Sequence, residues 1–175
     1  MKQWRELLWG KVEGSNILEV GVGTGANFPF YPRGVKVTAI DLSDEMLKRA
    51  REKAARLHVD VTIEEMDVQF LRLPNNAFDA LVASLVFCAV PDPLQGLAEM
   101  RRVCKPGCKA IFLEHVRSSN PFFGTLMDFL NPIMFWTIGD NFNRRTVDNV
   151  AKSGFIVDQV TDLTGIFKLI EARKP

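Results

Sequence analysis

Hydrophobic positions in this chain fall into short runs separated by turn residues and amphipathic stretches, so that strand and helix patterns alternate. Ile17–Val20 and Val35–Ile40 read as buried strands. From Ser43 to Leu57, Met46, Leu47, Ala50 and Ala54 lie on one apolar stripe at helical spacing. Val59–Glu65 reads as a third strand, and Phe78–Phe87 is a nearly continuous apolar run, as expected for a central strand covered on both faces. Pro93–Cys104 reads as the next helix, stopped by Lys105-Pro106-Gly107, and Lys109–His115 as a fifth strand. A helix at Thr146–Lys152, with Gly154 as its C-cap, leads to strands near Phe155–Thr161 and Phe167–Ala172. Ahead of the first strand, Trp4, Leu7, Leu8 and Trp9 recur at helical spacing and predict a helical cover over 1–14. The alternation predicts an α/β fold, a parallel sheet with helices on both faces.

Candidate chemistry begins where the first strand ends. Glu19-Val20-Gly21-Val22-Gly23-Thr24-Gly25 joins an acid to three glycines at alternate positions. Glycines directly after a strand fit a turn that needs positive φ and close approach of a ligand to the backbone. Glu19 is costly to bury without a partner, which a nucleotide-like ligand would supply. Gly21 to Ala26 also fits the dinucleotide pattern G-x-G-x-x-G/A. A dinucleotide site wants a helix of several turns facing a pyrophosphate. Pro29 and Pro32 follow too soon to leave room for one, and Phe28, Phe30 and Tyr31 suit a ligand without phosphates. No Gly-Lys-Ser/Thr follows, which excludes a P-loop. Asp41 closes the second strand, where an acid accepts hydrogen bonds from both ribose hydroxyls, or else caps the helix that starts near Ser43.

These residues resemble motif I and the following acidic motif of class I S-adenosylmethionine-dependent methyltransferases. Gly23-Thr-Gly-Ala-Asn-Phe-Pro-Phe-Tyr-Pro32, Leu85-Val-Phe-Cys-Ala-Val90, Arg101-Arg-Val-Cys-Lys-Pro-Gly107 and Glu114-His-Val116 narrow the likeness. Together they are similar to a small branch holding bacterial phospholipid N-methyltransferases and animal methyltransferase-like thiol S-methyltransferases, near the quinone-biosynthesis C-methyltransferases. The resemblance runs from about Ile17 to the C-terminus. It implies a Rossmann-like, seven-stranded sheet of order 3-2-1-4-5-7-6 with the last strand antiparallel. It implies S-adenosyl-L-methionine as cofactor and S-adenosyl-L-homocysteine as product. Gly21, Gly23 and Gly25 would then touch the methionine part and Asp67 the adenine amino group, with the Val68 backbone reading the ring edge. Leu42 and Met46 would press on the adenine, Met46 being equally readable as core. Ser84 would contact the cofactor or simply permit packing. Glu19 and Gly21–Gly25, Asp41 and Leu42, Asp67 and Val68, Ser84 to Cys88, and Glu114 and His115 all fall at carboxyl ends of predicted strands, the edge where ligands bind in such sheets.

Methyl transfer asks for orientation, and for a base when the acceptor is protonated. His115, ending strand five, is the first candidate base and Asp140 the second; the alternatives are a histidine holding the pocket wall and an aspartate capping a turn. Asn120–Phe142 is apolar nearly all round, but Asp128 and Pro132 interrupt it, so it reads as a lid over an apolar pocket rather than a membrane span. Arg144 and Arg145 follow it and could pair with an acceptor phosphate or carboxylate.

Length and composition agree with one soluble enzyme domain, which the resemblance makes a single methyltransferase domain over 1–175. Net charge is +1 and no basic stripe carries interleaved aromatics, so nucleic acid is not expected as a partner. The expected partner is a small-molecule or lipid-like substrate, with room for peripheral membrane contact and the oligomeric state left open. The start has no apolar signal region, and three cysteines make no disulfide framework, so reduced, structural thiols and a cytoplasmic location are expected. With His58 and His115 as the two histidines, no four-ligand zinc site is expected. The leading reading is a methyltransferase for a small apolar or amphipathic acceptor, thiol or lipid amine. A non-catalytic cofactor-binding module that docks a partner through its apolar segment is the alternative. A nicotinamide-dependent oxidoreductase is disfavoured by the short turn after the glycines and the lack of a Tyr-x-x-x-Lys pair.

Overall fold

A computed structural model describes residues 1–118, 122, 124–129, 131, 141 and 143–175. Asp140 and much of the 120–142 lid segment, including Phe123, Leu130, Ile133, Met134, Phe135, Trp136 and Ile138, lie outside the described residues. The strands are β1 (Asn16–Val20), β2 (Lys36–Asp41), β3 (Thr62–Glu65), β4 (Phe78–Ser84), β5 (Cys104–His115), β6 (Ile156–Asp162) and β7 (Phe167–Arg173). The helices are α1 (Lys2–Trp9), α2 (Asp44–Leu57), α3 (Pro93–Val103) and α4 (Thr146–Lys152), with a 3-10 turn at Phe28–Phe30. The seven strands form one sheet in the order β3-β2-β1-β4-β5-β7-β6, as the resemblance implied. Pairing is parallel from β3 through β5, and β7 runs antiparallel to both β5 and β6.

Alternation of side chains along each strand divides the core in two. Leu18, Ile40, Leu81, Phe112 and Ile170 face Leu97 and Met100 of α3 and Val150 of α4. Ile17, Val37, Val82, Ile111 and Leu169 face Leu8 and Trp9 of α1. Ala39 packs beneath Leu47, Ala50 and Ala54, the expected stripe of α2. Leu7, read from its spacing with the α1 stripe, is instead exposed, because α1 is only eight residues long and Leu8 and Trp9 fill its buried face.

Among the element ends that differ from the sequence reading, four have a local reason. β3 begins at Thr62 rather than Val59 because the left-handed His58 ends α2 and the Val59 N–H is spent on the Ala54 carbonyl. β4 ends at Ser84 because Leu85 turns left-handed and a buried glutamate, described below, takes the next two N–H groups. Ser153 is the C-cap of α4, and Gly154 follows it with φ +90°. β5 starts at Cys104, since Lys105-Pro106-Gly107 bulges within the strand instead of separating it from the helix; Phe78 pairs Cys104 and Ala80 already pairs Lys109. That bulge corrects the expectation of three reduced thiols. It brings the Cα atoms of Cys104 and Cys108 to 5.8 Å, and the two form a disulfide, while Cys88 stays outside it. No helix among the described residues is long and apolar enough to cross a membrane.

Candidate functional site

The chain visits β1, β2 and β3 in one direction, then crosses back to β4, so strand order reverses between β1 and β4. A crevice of about 590 Å³ opens over the carboxyl ends of the strands at this point. Of the residues expected there, Gly21, Gly23, Asp41, Leu42, Met46, Asp67, Val68 and Ser84 line it, on loops from four different strands.

The turn after β1 uses its glycines unequally. A Cβ at Gly21 would collide with Val86, and one at Gly25 with the Phe28 ring, so these two permit packing. Gly25 does not line the crevice. At Gly23, φ is +52° and a Cβ would meet no atom of the described residues within 4 Å, because the missing side chain faces the open crevice. This is a place for a ligand to lie against bare backbone. The Gly23 N–H donates to Asp41 Oδ2 at 2.8 Å, and the Ser43 N–H to Asp41 Oδ1 at 3.0 Å. Asp41 therefore latches the turn to the end of β2 and keeps lone pairs for a ligand, while Ser43 caps α2 by accepting from the Met46 N–H. Leu42 and Met46 are exposed on the rim, at 65% and 41%. Asp67 accepts from the backbone and side-chain amides of Gln69, whose Oε1 in turn accepts from the Asp92 N–H at the start of α3.

Glu19 sits behind the wall rather than on it. It is fully buried and accepts from the Asn27 amide at 2.5 Å and from the Tyr31 hydroxyl. Burial pushes its carboxyl up to about 7, although Tyr31, Asn27 and Arg5 pull the other way, and the same burial beside Glu19 raises the Tyr31 hydroxyl. The β4 loop has its own buried acid. Glu114 Oε1 accepts from the N–H groups of Val86 and Phe87 at 3.1 and 3.3 Å, which fixes Leu85 and Val86 against the crevice. Asn141 and Arg144 hold the far side of this loop, through the Cys88 and Val90 carbonyls. Arg144 thus ties the wall through Nη2.

His115 does not line the crevice. It is 9% exposed on the α1 side of the sheet, edge-on to Phe167 at 5.2 Å, and Phe167 stacks obliquely on Trp4. Sequence reasoning gave no role to Arg5, Asn27 and Gln69 on the wall, and none to Glu114 behind it beyond its place at the end of strand five. For Glu114 a signal existed, since an acid inside an apolar strand needs donors. For Arg5 there was none, because its neighbours come from distant segments. No cluster of His, Cys, Asp or Glu among the described residues is arranged to hold a metal ion.

Comparisons with known proteins agree with this geometry. A phosphatidylethanolamine N-methyltransferase of Cereibacter sphaeroides is 42% identical over 104 residues, 58% of this chain and 51% of that protein. The thiol S-methyltransferase TMT1B of Rattus norvegicus is 33% identical over 144 residues, 79% of this chain and 59% of that protein. The chain thus spans between half and three-fifths of the length of these relatives. In fold it is similar to an S-adenosylmethionine-dependent methyltransferase from Mesorhizobium loti, with a TM-score of 0.76 at 20% identity, covering 98% of this chain and 96% of that one. Residues 18–112, from the first strand to the fifth, match the methyltransferase-domain family, and with more than half its length so matched the chain belongs to that family.

Proposed function

We propose that the crevice binds S-adenosylmethionine and that the chain moves its methyl group to a small apolar or amphipathic acceptor, with a thiol or a lipid amine first among candidates. The observation that carries this reading is Gly23: a left-handed turn, open on its Cβ side, latched by Asp41 at the point where strand order reverses. When bound, the cofactor supplies a sulfonium whose methyl carbon is already activated for attack by an acceptor lone pair, leaving S-adenosylhomocysteine. Asp41, oriented by two backbone donors, accepts from the ribose hydroxyls; Asp67 and the Val68 backbone meet the adenine edge. Leu42 and Met46 lose their exposure on the ring, and each buried side chain of this kind contributes about 1.5–3 kcal/mol at full burial.

The acceptor reading draws on the relatives, which are named for a phospholipid amine and for thiols. It also draws on Phe122, Leu126 and Phe129, which are exposed at 122–129, the described part of the expected lid. His115 enters this reading as a support: through Phe167 and Trp4 it packs toward α1. His115→Ala is therefore expected to lower the unfolding temperature by several degrees while the pH profile of kcat keeps its shape. Loss of one limb of that profile would instead make His115 the base.

The activity is tested by incubation with methyl-labelled S-adenosylmethionine and panels of thiols, lipid amines and quinols. Label is expected in an apolar thiol or a lipid amine. Tight cofactor binding with no labelled product from any panel would favour the docking-module alternative, and preference for a nicotinamide dinucleotide over S-adenosylhomocysteine would overturn the cofactor itself.

A further inference from the structure

Charge on the crevice wall is divided by sign. The acids, Asp41 and Asp67, stand at the ends of β2 and β3, whereas the one cation among the described lining residues, Arg5, comes from α1 and stands over β1 and β4. Its Nη1 donates to Asn27 Oδ1 at 2.6 Å and to Ser84 Oγ at 3.1 Å, so this side chain spans the reversal point from above. Both partners are neutral. The remaining donors of the fork, Nε and Nη2, meet no acceptor among the described residues, and Arg5 forms no ion pair among them. The carboxylate acting on it is Glu19, held off by Asn27, whose amide donates to Glu19 while its oxygen accepts from Arg5. A partly buried guanidinium without a contacting anion loses hydration and gains little in return, and burial does lower the Arg5 pKa.

We propose that Arg5 receives the carboxylate of the donor's amino-acid portion, and that donor binding thereby fastens α1 across the crevice. This inference rests on the crevice being an S-adenosylmethionine site. With adenosine at Asp41 and Asp67, the amino-acid end of the donor extends toward Asn27 and Ser84, where Arg5 waits. The donor carries a sulfonium and an ammonium, both of which repel a guanidinium. Its carboxylate is the one group that reverses the sign of that encounter. The planar fork suits a carboxylate through two parallel N–H donors, a geometry that lysine cannot reproduce. α1 has few other ties to the crevice: Leu8 and Trp9 bury against the sheet, and Trp9 meets Tyr31 with ring centroids 4.5 Å apart. Arg5 is therefore a positioning residue that links the first helix to cofactor occupancy.

The test compares two ligands by calorimetry: S-adenosylhomocysteine, and its decarboxylated form, which keeps the ammonium. Wild-type protein is expected to prefer the former by about 10–100-fold, the usual range for a hydrogen bond to a charged group. Arg5→Met is expected to erase that preference by losing affinity for S-adenosylhomocysteine alone, and Arg5→Lys to restore part of it. Hydrogen exchange in α1 should slow with S-adenosylhomocysteine on wild type and not with the decarboxylated ligand. Equal losses on both ligands in Arg5→Met would reduce Arg5 to packing, and equal wild-type affinities would overturn the inference while leaving the cofactor reading intact. Wild-type protein that binds neither ligand would overturn the cofactor reading and this inference with it.

Discussion

Gly23→Val is expected to weaken S-adenosylhomocysteine binding by more than about 100-fold while leaving a folded protein that unfolds cooperatively. Two effects separate here. The first is backbone strain: Gly23 has φ +52°, and holding a residue with a side chain there costs about 1–3 kcal/mol. For a chain of this size that lowers the unfolding temperature by about 2–4 °C per kcal/mol. The second effect is occupancy. Among the described residues no atom lies within 4 Å of the added Cβ, so there is room for the branch, and the space taken is the ligand's. Gly21→Ala should behave in the opposite way. Its Cβ would strike Val86, so stability falls first, with cofactor affinity following only through the displaced β4 loop. Calorimetry and thermal unfolding of the two variants side by side check this. A Gly23→Val protein that binds at full strength would remove the role of the turn.

The second large effect belongs to Glu19 and is read with pH. Its carboxyl, ordinarily at 4.5, is raised to about 7 in the folded, ligand-free protein because it is fully buried, and Asp41 adds to the rise. The unfolded chain releases this proton first. Stability from the neutral form is therefore complete below pH 4.5 and is lost as pH climbs through about 7, a change on the order of 3 kcal/mol. Glu19→Gln keeps an oxygen for the Asn27 amide and turns its NH2 to the Tyr31 hydroxyl oxygen, but cannot ionise. It is expected to match wild type near pH 4.5 and to exceed it in stability at pH 8. Cofactor binding should show the reverse slope. A donor with a sulfonium and an ammonium above Asn27 favours the ionised carboxylate, so its affinity should rise toward tenfold per pH unit as pH approaches 7 from below, then level off. Glu19→Gln should flatten that rise. Titrations of wild type and Glu19→Gln between pH 5 and 8 check both slopes, and parallel curves for the two proteins would contradict the assignment.

What was legible in the sequence was whatever local pattern determines. Alternating apolar runs and amphipathic stretches marked each strand and helix, and the glycines and Asp41 after the first two strands marked the crevice before any contact was known. The parts that were not legible depend on which side chains the fold brings together. Whether Glu19 faces a ligand or the interior turns on Asn27 and Tyr31. Where β4 ends turns on Glu114, which is 27 and 28 residues away from the N–H groups it takes. The disulfide required a bulge between Cys108 and Cys104, which both caps α3 and opens β5. Arg5 reaches Ser84 across 79 residues, and no periodicity in α1 singles it out from its neighbours. His115 was placed correctly at the end of β5, but the alternation that puts Glu114 toward the β4 loop turns the imidazole to the other face, toward Phe167.

The most direct measurement is a crystal structure of the protein soaked with S-adenosylhomocysteine. The adenosyl group is expected in the crevice at the β1–β4 reversal, its ribose hydroxyls on Asp41 and its homocysteine passing over the bare backbone of Gly23. An empty crevice, or the compound bound anywhere else on the chain, would contradict the account.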